Sequence, residues 1–147
     1  MRTGFRVLLG LTAAAALTLA GSTAASAETA ATAATASASS WKWGPIHSTD
    51  GHATAKGKVV VTQHSLQVRG SLSDTRGKGC SWVVLRWQSS GNGKWSSAGY
   101  WNCTPGTGTF RKNVGAPLQI KAKVCRGNSS RPTGWCTSWK TIYTQGG

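Results

Sequence analysis

The sequence predicts an all-β domain, either an antiparallel β-sandwich of Ig-like kind or a small barrel, with about seven strands and two disulfides. Three features carry that expectation. Short segments alternate apolar and polar residues with a period of two, and turn-forming residues separate them at close intervals. No segment carries an apolar stripe at helical spacing over a useful length. Four cysteines sit where two hairpins would bring them together in pairs.

The chain opens with Arg2 and Arg6 ahead of an apolar run at 7–19, and Ala25-Ser26-Ala27 follows as a small-residue cleavage site. Residues 1–27 therefore read as a Sec-type export signal. The run is shorter than the roughly 20 residues of a membrane span, so no integral membrane association is expected. Residues 28–40 are an Ala/Thr/Ser tract with no face to pack, read as a flexible spacer. The β domain is expected over 41–147, beginning at Trp41-Lys42-Trp43, whose rings read as a cap on one end of the core.

Strand signals follow in order. Residues 58–63 are rich in valine, and Leu66, Val68 and Leu72 alternate with Gln67, Arg69 and Ser71. Asp74-Thr75-Arg76-Gly77 is a turn. The stretch 80–103 reads as a hairpin turning at Gly91-Asn92, with Cys80 opposite Cys103 and Trp82 opposite Trp101. A two-residue loop there puts the cysteines at a hydrogen-bonded pair, roughly 5.5 Å between Cα atoms. A turn at Asn92-Gly93 would make them diagonal neighbours instead. One face of this hairpin carries Val83, Leu85, Trp87, Ala98 and Tyr100. The other carries Trp82, Arg86, Trp95, Trp101 and both cysteines.

Residues 109–113 form a weak edge-strand candidate. Leu118, Ile120, Ala122 and Val124 then alternate with Gln119, Lys121 and Lys123, and 135–143 reads as the last strand. If Cys125 faces Cys136, Leu118 meets Tyr143, Ile120 meets Thr141 and Ala122 meets Trp139. Lys121, Lys123 and Lys140 then share the opposite face with the disulfide. The pairings 80–103 and 125–136 are thus preferred over cross-links between hairpins.

The arrangement of export signal, Ala/Thr spacer, Trp-rich strands and paired cysteines resembles small exported actinobacterial proteins with a four-cysteine β domain. The likeness spans residues 1–143 as a general layout, and it implies no activity and no site residues.

Charge narrows the partners. The chain holds 17 Lys and Arg against three acids; without Arg2 and Arg6 there are 15 against Glu28, Asp50 and Asp74, a net +12. Such an excess favours anionic surroundings, whether wall polymer, lipid headgroup or nucleic acid. Nucleic acid is expected to bind only nonspecifically and at low salt, because no recognition motif accompanies the charge. Cysteines in an exported chain are staples, and neither Cys-x-x-Cys redox nor zinc spacing is present.

Catalytic raw material is scarce. Asp50 and Asp74 lie in turn sequences, His47, Asp50, His52 and His64 match no established metal spacing, and no nucleophile elbow is present. No catalytic, cofactor-binding or metal-binding residue is assigned, and the chain is expected not to be an enzyme. The eight tryptophans point elsewhere. If Val83, Leu85 and Trp87 are core, Trp82, Trp95 and Trp101 form an outer strip suited to stacking on sugars, with Arg86, Lys121, Lys123 and Lys140 for anionic groups. The competing arrangement buries the disulfide and its tryptophans as core and leaves Arg86 a plain cation–π partner.

The expected function is therefore a secreted, non-enzymatic module, extracellular or wall-associated, that binds an anionic or neutral extracellular polysaccharide. The alternative is a secreted factor aimed at a protein, such as a protease inhibitor or antagonistic toxin, presenting the disulfide-held loop with Arg126 and Arg131. Oligomeric state is not legible in the sequence.

Overall fold

The computed structural model describes residues 39–76 and 78–147. The expected export signal and most of the spacer lie outside the described residues. Among those residues there are nine strands and no helix: β1 (Ser40–His47), β2 (Ala53–Val61), β3 (Leu66–Asp74), β4 (Cys80–Ser89), β5 (Trp95–Asn102), β6 (Gly106–Gly115), β7 (Pro117–Gly127), β8 (Pro132–Gly134) and β9 (Lys140–Thr144). They form two antiparallel sheets, one ordered β1-β2-β3-β6 and the other β5-β4-β7, with β8 and β9 both on the outer edge of β7. The sheets stack face to face, a sandwich and not a closed barrel.

Period-two alternation decides what lies between them. Val59, Val68, Val83, Leu85, Ile120 and Val124 are fully buried, with Trp43, Leu72 and Phe110 extending the same cluster. Trp87, Tyr100 and Tyr143 close its margins half-buried. Burying each such side chain contributes about 1.5–3 kcal/mol. The Val83/Leu85 face of the first hairpin is thus the inner one. Trp43 caps the core as expected, while Trp41 lies at its margin, edge-on to Tyr143 with ring centroids 5.1 Å apart.

Both expected disulfides form, Cys80–Cys103 and Cys125–Cys136. Each lies on the outer face of one sheet, and neither bridges the two sheets. Such bonds persist in an oxidising, extracellular type of environment. No described helix is long and apolar enough to cross a membrane.

Two hairpin details depart from expectation. In the first, Trp82 does pair with Trp101 and Gln88 with Trp95. The turn, however, is a four-residue loop closed by a Ser89 N–H to Lys94 carbonyl bond, with Gly93 at φ 67°. Moving the closing pair outward by one residue inverts which pairs are hydrogen-bonded. Cys80 and Cys103 become a narrow, non-hydrogen-bonded pair, with Cα atoms 4.0 Å apart.

In the second, the expected register holds only beside the disulfide, where the Thr137 N–H reaches the Val124 carbonyl. Farther on, Lys140 pairs with Ala122 and Tyr143 with Ile120, after a shift between Ile120 and Lys121. The predicted last strand is broken at 135–139, where Trp135 takes φ 54° and leaves the ladder. Ile142 lies inward, and Leu118, skipped in the ladder where Gln88 pairs with Gln119 and Ser89 with Pro117, is exposed.

Candidate functional site

The outer face of the disulfide-bearing sheet is built in cross-strand rows, because residues directly opposite one another point to the same side. The rows are Trp101–Trp82–Cys125, then Gly99–Val84–Lys123, then Ser97–Arg86–Lys121, then Trp95–Gln88–Gln119. Aromatic and cationic side chains therefore interleave without an acid among them.

Two zones result. Around the disulfides, Trp82 stacks on Trp101 with centroids 5.1 Å apart, and its indole N–H donates to the Asn128 carbonyl at 2.8 Å. Cys80, Cys103, Cys125 and Cys136 close round it as a second small apolar cluster. Trp82 is only 5% exposed, so it is not a binding residue as the alternation suggested. The disulfides and Trp82 form a core of their own, while Trp101 remains 54% exposed above it.

Farther along the sheet, the Arg86 guanidinium lies 4.0 Å from the Trp95 ring centroid and 5.1 Å from that of Trp139. Lys121 approaches Trp95 at 5.7 Å, and Lys123 approaches Trp139 at 4.8 Å. Ring quadrupoles attract each of these cations. A groove of about 410 Å³ runs here, lined by Arg86, Trp95, Ser97, Lys123, Pro132 and Trp139. The arrangement offers fixed cations framed by flat apolar faces, suited to anionic groups on a chain of rings.

Trp139 was missed as a member of this face. Alternation from Cys136 placed it inward against Ala122; the slipped register puts Lys140 there instead. Lys140 accordingly leaves the expected lysine face and lines a different cleft with Trp43 and Ile46. No local sequence signal announces the shift.

Arg126 is a second correction. Expected on a presented loop, it is 5% exposed. Its Nη1 donates to Asp74 at 2.8 Å and to the Ser81 hydroxyl at 2.9 Å, its Nη2 donates to the Lys78 carbonyl, and its Nε lies 3.8 Å from Asp50. Asp50 also accepts from the Ser48 hydroxyl at 2.5 Å, and Asp74 from the amides of Arg76 and Ser81. Burial opposes ionisation of both carboxyls. For Asp50 the Ser48 hydroxyl, the His52 amide and Arg126 outweigh it; for Asp74 the Arg76 amide, Arg126 and the Ser81 amide do, so each titrates below its usual value of 3.8. This cluster ties the first sheet's end to the second sheet and is structural.

Arg131, by contrast, is exposed on a loop that Asn128 fastens: its side-chain oxygen accepts from the amides of Ser130 and Arg131, each at 2.9 Å. The histidines do not converge. His47 and His52 each meet a threonine hydroxyl near one end of β2, and His64 lies beyond the other end.

No protein-family model, curated protein or solved structure matches this chain. The functional reading rests on the face itself.

Proposed function

We propose that the chain is a secreted, non-enzymatic module that binds a cell-envelope or extracellular polysaccharide on the outer face of its disulfide-bearing sheet. The observation that carries this is Arg86 lying between Trp95 and Trp139, with Lys121 and Lys123 against the same two rings. Indoles hold these cations in place, so less side-chain freedom is lost when an acidic group arrives. Trp101, with its inner face on Trp82, offers its outer face to a sugar ring. Nothing comparable favours catalysis, since Asp50 and Asp74 are both engaged by Arg126.

The test is depletion of residues 28–147 from solution by insoluble peptidoglycan, chitin and cellulose across a salt series. Retention at high salt, lost in Trp95→Ala and Trp101→Ala, is the expected result. Loss of all binding at moderate salt, in wild type and variants alike, would leave only nonspecific charge.

A second reading, a protein-directed inhibitor or toxin, is favoured by one observation: Arg131 is exposed on a loop held by Asn128 and closed by Cys125–Cys136. It requires stoichiometric, saturable inhibition of a protease that disappears in Arg131→Ala. Arg126 has no part in it.

A further inference from the structure

The opposite face of the sandwich carries a feature that the proposed glycan site does not use. Lys42 on β1 pairs with Lys58 on β2, Lys58 with Arg69 on β3, and Arg69 with Arg111 on β6. Directly opposed residues share a face, so four cations, one from every strand of that sheet, stand in a single row across it. All four are exposed. Neighbouring strands are about 4.8 Å apart, so the row spans roughly 14 Å.

Like charges placed directly opposite one another destabilise a sheet. Among the described residues no carboxylate pairs with this row. The sequence has three acids. Asp50 and Asp74 are engaged by Arg126, and among the described residues no other ion pair forms. Arg69 is moreover positioned: its Nε donates to the Gln67 side-chain oxygen at 2.5 Å, and Gln67 in turn donates to Asn113 at 2.5 Å. A trough of about 520 Å³ follows the row, with Lys42, Lys58 and Arg69 joined by Lys56, Ser71 and Thr109. Its floor passes over Gly57 and Gly70, which face each other across β2 and β3.

We infer that this row is a second binding site, for a linear anionic polysaccharide that lies across the strands with its acidic groups against Lys42, Lys58, Arg69 and Arg111. Three features select that class. The row is straight and repeats at strand spacing, matching a chain with regularly recurring charges and not a single small anion. The flanking row of Lys56, Ser71 and Thr109 supplies hydroxyls that exchange hydrogen bonds with sugar hydroxyls. No aromatic residue belongs to either row, and Trp43, which also lines the trough, is 6% exposed with its ring packed in the core. Base stacking of the kind that holds single-stranded nucleic acid therefore has no open ring face there. Carboxylate and sulfate groups both suit a guanidinium fork, and the probes below separate them.

The experiment measures affinity and its salt dependence for heparin, polygalacturonate, neutral dextran and a 20-mer of thymidylate, using the mature domain with its disulfides intact. Three proteins are compared: wild type, the row variant Lys58→Gln/Arg69→Gln, and a charge-matched control in the turn, Arg76→Gln/Lys78→Gln. The row variant should bind heparin or polygalacturonate at least tenfold more weakly, and lose about two units of salt slope, one per ionic contact removed. The control should stay within twofold of wild type, and dextran, which carries no acidic group, should not distinguish the three proteins. Which of the two acidic polymers shows the larger loss identifies the preferred group.

A thermal melt at low salt separates this from misfolding. Removing opposed like charges should leave the row variant at least as stable as wild type, whereas added polymer should raise the wild-type Tm more than the variant's. Equal weakening in variant and control would reduce the row to net charge and overturn the proposal. So would thymidylate binding as tightly as the acidic polysaccharides with the same dependence on the row. Because Trp95 and Trp101 lie on the other sheet, failure here leaves the high-salt glycan test untouched, and the converse also holds.

Discussion

Arg126 shows what a residue's neighbours in sequence conceal. It follows Cys125 into a polar loop, yet its side chain turns under β3 and β4 to meet Asp74 and Ser81. Removing the partner of a buried ion costs about 3–5 kcal/mol, so Asp74→Ala should lower the unfolding free energy by that amount, read from urea midpoints at pH 7. Trp82 teaches the same lesson in the apolar direction. Alternation states which side of a sheet a residue takes, and nothing about what covers that side; here both disulfides and the 127–131 loop do. Gly99 makes room for it, since a Cβ at that position would meet the Trp82 ring at 2.9 Å. Gly99→Ala is therefore expected to cost about 1–3 kcal/mol through overpacking, visible as a lowered Tm together with a changed tryptophan emission spectrum.

Among the elements, the first hairpin was legible because its pattern is redundant: eight apolar or aromatic positions and two cysteines agree on one pairing. Only the loop was misjudged, since two and four residues around the same centre give identical partners and differ only in which pairs are hydrogen-bonded. The second hairpin offered one cysteine pair and a weaker alternation, and bulges moved Tyr143 and Lys140 past it. Trp139 reached the candidate face by that slip, which is why period-two reading misplaced it. The segment 135–139 lacks regular pairing, so the Cys125–Cys136 bond and the single Thr137–Val124 bond hold it to β7. Replacing both cysteines by alanine should cost about 2–4 kcal/mol and, in hydrogen exchange, lose protection first at 132–139. Glycan affinity should fall with it, because Trp139 would no longer be held against Arg86 and Lys123. Unchanged exchange at 132–139 would show that the ladder alone suffices there.

For the molecule as a whole, charge sets the conditions of stability. The excess of cations repels itself, and the acids of the described domain are concentrated at one buried point with Arg126. Added salt screens the first effect, whose range shrinks to about 3 Å at 1 M, and reaches the buried pair far less. Acid acts on the second. Asp50 and Asp74 ionise more readily in the folded chain than in the unfolded one, where an aspartate titrates near 3.9. The unfolded state therefore binds more protons as pH drops, and folding loses free energy in that direction. Their contribution is complete above the unfolded value and disappears as pH falls from about 4 through the lowered folded values. Thermal melts at constant ionic strength should then give a Tm that is level between pH 5 and 7 and declines steeply below 4. Asp74→Asn, which cannot take up that proton, should start lower at pH 7 and decline less steeply. A wild-type Tm already falling between pH 7 and 5 would assign the acid sensitivity to groups outside the Arg126 cluster, and with it the idea that this one buried point couples the two sheets to pH would fail.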